Sequence, residues 1–160
     1  MATLQCRSHQ IGIPDALEGI VYTAARKFDD TSQLAIAYRL PAPTVFRAHR
    51  LEAAAGTIHS DANSELFVSL GPVWRLSVHG SSTFIDFGFS PTLMSGSRFD
   101  SRELGGRFYF TSSLTVGARF GRFQQFSLSL RVQHSSNGGL HGTNPGLDML
   151  GLAFAVELRD

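Results

Sequence analysis

His134 and Ser136 stand two positions apart, and Asp148 follows, within the stretch RVQHSSNGGLHGTNPGLD at residues 131–148. These three residue types perform nucleophilic acyl transfer: an imidazole takes the serine proton, and a carboxylate on the other ring nitrogen holds the required tautomer. In that scheme Ser136 is the nucleophile, His134 the base and Asp148 the orienting acid. Asn137, Asn144 and the backbone N–H groups of Gly138 and Gly139 are the candidate donors to an oxyanion or substrate. A Ser-Ser-Asn-Gly-Gly run is also an ordinary turn, because asparagine and glycine accept positive φ. The two readings separate on one question, whether the three side chains share a face.

The elements that carry them repeat with a period of two. SQLAIAYRL alternates Leu34, Ile36, Tyr38 and Leu40 with Ala35, Ala37 and Arg39. The same pattern sets Leu66, Val68, Leu70, Trp74, Leu76 and Val78 against Ser69, Gly71, Arg75 and Ser77. It recurs at 107–120, 126–133 and 149–158, with less regular segments near 18–26, 45–58 and 83–94. Helical spacing is absent, so the chain is expected to be all-β, with eight antiparallel strands of roughly ten residues, the length that crosses a bilayer core when tilted.

One face is bulky, with Leu, Phe and Val. The other is small, with Ser, Ala, Gly and Thr, interrupted by Arg39, Arg75, Arg107, Arg119, Arg131, Asp86 and Glu157. A water-facing surface would carry lysine and glutamate, yet Lys27 is the sole lysine. Small residues and paired charges suit a crowded lumen instead. The expected architecture is therefore an eight-stranded antiparallel transmembrane β-barrel with a lumenal charge network and bulky residues, Trp74 among them, in lipid. Connections are expected to alternate in length, tight at HGSST and GRFQQ and long at MSGSRFDSRELGG and 137–147.

The remaining composition narrows the options. At 160 residues with no linker signature, the chain reads as a single domain over 1–160, with 1–17 as a loosely ordered N-terminal segment. Net charge is +1 with basic residues scattered, which removes nucleic acid as a partner. Cys6 is alone, so neither an internal disulfide nor a cysteine zinc site can form. No apolar run is long enough for a membrane helix, and MATLQCRSHQ shows no export signal.

Extending the alternation past Val132 puts His134 and Ser136 on the bulky face, and running back from Leu152 through Leu150 puts Asp148 there too. Three polar groups then converge on the lipid-facing side, near the outer end if both termini are periplasmic. Polar groups facing lipid are costly unless they have work to do. The substrate reached from that side is an ester-bearing lipid.

At these positions the chain resembles the PagL-type lipid A 3-O-deacylases of Gram-negative outer membranes. The resemblance is carried by His134, Ser136, Asn137, Gly139, Asn144, Gly146 and Asp148, with the family's gaps between them. It implies an eight-stranded outer-membrane barrel and a lipid-facing His-Ser-acid triad. It further implies removal of the 3-position hydroxyacyl chain from lipid A, with lipopolysaccharide and the bilayer as partners and neither metal nor cofactor. Aspartate stands where the family carries glutamate, one methylene shorter, so its contact with His134 calls for a small backbone adjustment or a bridging water. Whether two copies form a homodimer is left open.

Other readings make different demands. A metal site would need His134, His141 and Asp148 together. His9, His49, His59 and His79 suggest no cluster. A non-catalytic structural or adhesive barrel would be indifferent to Ser136, and a soluble lipocalin-like lipid carrier would turn the bulky face inward.

Overall fold

The computed structural model describes residues 16–24, 31–61, 63–77, 80–99, 102–142 and 144–158. The expectations placed on 1–15, including Cys6 and His9, and on Lys27, Val78 and His79 fall outside these residues. The strands are β1 (Ala16–Ala24), β2 (Ser32–Pro41), β3 (Arg50–His59), β4 (Ser64–Ser77) and β5 (Thr83–Met94). A small hairpin of β6 (Arg98–Phe99) and β7 (Arg102–Glu103) follows, then β8 (Phe108–Phe120), β9 (Phe126–Ser136) and β10 (Leu147–Glu157). Neighbouring strands are antiparallel, and the sheet closes into a barrel in the order β1-β10-β9-β8-β5-β4-β3-β2, with the β6–β7 hairpin apart from it.

Alternation decides the facing. Leu66, Val68 and Leu70 on β4, Leu114 and Val116 on β8, and Leu128, Leu130 and Val132 on β9 are all exposed on the outside. Ala35, Ala37, Ser113, Thr115, Ser129 and Gln133 are buried inside. This orientation excludes the lipocalin-like carrier, whose bulky face would be inward. Trp74 is half-buried on the outside against Phe87, with ring centroids 5.9 Å apart.

The lumen holds charges in pairs. Asp86 accepts two hydrogen bonds from Arg75, at 2.6 and 2.7 Å, and one from Arg39 at 3.3 Å. Glu52 joins Arg39 at 2.9 Å to Arg131 at 2.5 Å, so one chain of ion pairs ties β2, β3, β4, β5 and β9 across the interior. Arg50 reaches Glu157 on β10 at 3.4 Å. Between this network and the end that carries the 137–146 loop, Ile58, Phe67, Met94, Leu104, Tyr109, Leu147 and Met149 form an apolar plug.

Three expectations are corrected. Arg107 is not a lumenal residue: it lies before β8, exposed, after the positive-φ pair Gly105 and Gly106 has turned the chain. The segment expected from 45 begins at Arg50, because Pro43 leads into a short 3-10 turn over Thr44–Phe46. The alternation of short and long connections also fails between β3 and β4. There a tight turn, at the same end as the 137–146 loop, is closed by Ser60, whose hydroxyl donates to Asn63 Oδ1 at 2.9 Å.

Breaking a buried ion pair leaves an uncompensated charge and costs about 3–5 kcal/mol. Asp86→Ala strips Arg75 of both carboxylate contacts and is expected to lower the folding free energy by about that amount. A urea titration of detergent-refolded protein should show the loss as a lower unfolding midpoint.

Candidate active site

Ser136 ends β9 and Asp148 is the second residue of β10, with the 137–146 loop between them. The register makes His134 and Asp148 direct cross-strand partners. Both point outward, with 49% and 56% of their side chains exposed, and His134 Nδ1 lies 2.6 Å from Asp148 Oδ1. The expected backbone adjustment or bridging water is therefore unnecessary. Residues directly opposite in an antiparallel pair are close enough that the shorter aspartate reaches. That contact leaves Nε2 as the ring nitrogen free to accept a proton.

Ser136 lies on the same outward face, half-buried, cross-strand from Phe110 on β8. Among the described residues its hydroxyl has no hydrogen-bond partner, so the histidine–carboxylate half of the constellation is formed and the serine half is not. Catalytic hydrogen bonds are often long in the ligand-free state and tighten around substrate.

The loop is held by Asn137, which is fully buried. Its Nδ2 donates to the carbonyls of Leu104 and Gly105 at 3.1 and 3.0 Å, and its Oδ1 accepts the Gly139 N–H at 2.9 Å. Its own N–H donates to Asn144 Oδ1 at 3.0 Å. Asn137, expected as a substrate donor, has its amide nitrogen committed to Leu104 and Gly105, whereas Asn144, expected in the same role, is engaged through its Oδ1, as an acceptor. The Gly139 N–H is taken as well. The Gly138 N–H, at φ 64°, and the Asn144 side-chain amide nitrogen have no partner among the described residues.

His141 packs its ring over Gly106, in the neighbouring connection, and not beside Asp148. Among the described residues no three His, Cys, Asp or Glu side chains converge as metal ligands, so the His134–His141–Asp148 arrangement is not assembled.

Two features escaped the sequence reading. His59 is not isolated: its Nδ1 lies 2.6 Å from the Ser64 hydroxyl, on adjacent strands beside the β3–β4 turn. Gly146 packs against the imidazole. It has φ 66°, and a Cβ there would sit 2.8 Å from His134 Cε1. Its membership in the motif was visible, but its contact with His134 depends on the path of the loop.

A closed antiparallel barrel with apolar residues outside and ion pairs within is a barrel of the membrane class. A family model described as Lipid A 3-O-deacylase (PagL) matches residues 24–157, and the chain belongs to that family. It is 29% identical over 96 residues to the lipid A deacylase PagL of Bordetella bronchiseptica, covering 56% of this chain and 53% of that protein. It is also 29% identical over 93 residues to the lipid A deacylase PagL of Pseudomonas aeruginosa, covering 57% and 53%. The matched stretch thus spans about half the length of these relatives. The fold is similar to the crystal structure of the outer membrane enzyme PagL, with a TM-score of 0.66 at 20% identity over 89% of this chain and 99% of that one. The N-terminal β-barrel domain of Pseudomonas aeruginosa OprF gives a TM-score of 0.58 at 12% identity, over 91% and 98%.

Gly146→Ala is expected to displace the imidazole, read as changed ring resonances of His134 by NMR. Gly139→Ala is the control: its φ of 81° is equally unfavourable, but no atom lies within 4 Å of the added methyl. An unchanged His134 spectrum in Gly146→Ala would mean that this glycine does not position the ring.

Proposed function

We propose that this chain is a lipid A 3-O-deacylase, an eight-stranded transmembrane barrel of the outer membrane that works as a serine esterase on its lipid-facing surface. The observation that carries the reading is the exposed His134–Asp148 pair at 2.6 Å, one outward step from Ser136 on a face otherwise built for lipid. Family membership supplies the substrate class, and the outward facing supplies the direction of approach, from the bilayer.

The steps follow from the groups present. Ser136 Oγ attacks the ester carbonyl carbon as its proton passes to His134 Nε2, and Asp148 stabilises the resulting imidazolium through Nδ1. The Gly138 N–H is the donor assigned to the oxyanion, with Asn137 and Asn144 holding the turn that aims it. The bond from the carbonyl carbon to the sugar 3-oxygen then breaks, and that oxygen takes the proton from His134. Water repeats the sequence on the acyl-serine: its proton goes to His134, its oxygen joins the carbonyl carbon, and Ser136 recovers its proton as the hydroxy fatty acid leaves.

Mass spectrometry of lipid A incubated with detergent-refolded protein tests this. Loss of one hydroxyacyl mass is expected, with kcat lowered at least about 10⁴-fold by Ser136→Ala or His134→Ala, and less by Asp148→Ala. Asp148→Glu is expected to keep most of the activity, since the family uses the longer acid. Folded protein that leaves lipid A intact would instead favour a non-catalytic barrel.

A further inference from the structure

Ser112 has no part in the steps above, yet its placement is unusual. Along the outward face of β8 the residues run Phe108, Phe110, Ser112, Leu114 and Val116, a single hydroxyl in an apolar row. It is half-buried, and among the described residues that hydroxyl has no hydrogen-bond partner. Its cross-strand neighbours are His134 on β9 and Phe89 on β5. Phe110, the next outward residue, pairs with Ser136 and stacks on Phe89 with centroids 5.8 Å apart. On the outward face Ser112 is therefore flanked by His134 and Phe89 across the strands and by Phe110 and Leu114 along its own strand.

We propose that Ser112 is a specificity-determining residue whose hydroxyl bonds the 3-hydroxyl of the acyl chain being removed. The inference rests on the deacylase reading. Ser112 and Ser136 are diagonal cross-strand neighbours, a relation that separates α-carbons by roughly 7–8 Å. That gap accommodates an ester carbonyl at Ser136 and a hydroxyl two carbons further along the chain at Ser112. The remaining methylenes then lie on the Phe110 and Phe89 rings. A chain without the hydroxyl leaves Ser112 unpaired against hydrocarbon, and an unpaired polar group in the site is what makes a hydrogen-bonding pocket reject the analogue lacking its partner. If the position needed only a small residue to make room for the imidazole, alanine would serve equally well.

The test uses two synthetic glucosamine esters in detergent micelles, with a 3-hydroxyacyl or a plain acyl chain of equal length on the 3-oxygen. The protein is expected to favour the hydroxyacyl ester in kcat/KM by about tenfold or more. Ser112→Ala should collapse that ratio toward one, and Ser112→Thr, which keeps a hydroxyl, should retain it. A ratio that survives Ser112→Ala, or no preference in the unmutated protein, overturns the assignment while Ser136-dependent hydrolysis still stands. Absence of any Ser136-dependent hydrolysis of either ester overturns the deacylase reading, and the Ser112 assignment with it.

Discussion

Asp86, held between Arg75 and Arg39, and Glu52, held between Arg39 and Arg131, can be satisfied only inside the barrel. These charges come from strands far apart in the chain, and each needs its partner at hydrogen-bond distance in a site shielded from water. Once they are inside, the period of two leaves no freedom. Every residue between them must point outward, and those residues are the leucines, phenylalanines and valines that suit hydrocarbon. A slip of one residue in β2, β4 or β9 would send an arginine into lipid and a leucine into the lumen.

The same constraint reaches the site. His134 and Ser136 follow Arg131 and Gln133 on β9 with opposite parity, so the burial of Arg131 turns them outward. Asp148 precedes Met149, which is buried in the apolar plug, and is turned outward for the same reason. Polar groups sit on a lipid-facing surface because the ion pairs below them determine which way the strands face. The apolar plug and the ion pairs lie in the lumen behind the site.

The loops beside the site add what strand parity cannot. Asn137, fully buried, stitches the loop after β9 to the connection before β8, while Tyr109 donates to the Gly106 carbonyl and His141 covers Gly106. This leaves the Gly138 N–H free of other partners and brings Gly146 against the imidazole. The loop thereby packs against the His134–Asp148 pair, which stands exposed on β9 and β10. Groups on an outward barrel face are held in place by their own strands and by the loop packed against them.

Alternation in the sequence was enough to determine the strands, the inward and outward sets and the shared face of His134, Ser136 and Asp148, because parity is a local property of an extended chain. The motif from His134 to Asp148 determined the family for a similar reason, its residues being close together in the chain. Register and loop path were decided only by the tertiary structure. Glu52 and Arg50 lie in a segment whose alternation is blurred by alanines, so their place in the charge network appeared only when β3 paired with β2 and β4. Likewise, the direct reach of Asp148, the commitment of Asn137 to a loop some thirty residues upstream and the position of Ser112 beside His134 all arise from pairings between distant segments. Such pairings depend on how the whole sheet closes, and no local pattern of side chains encodes them.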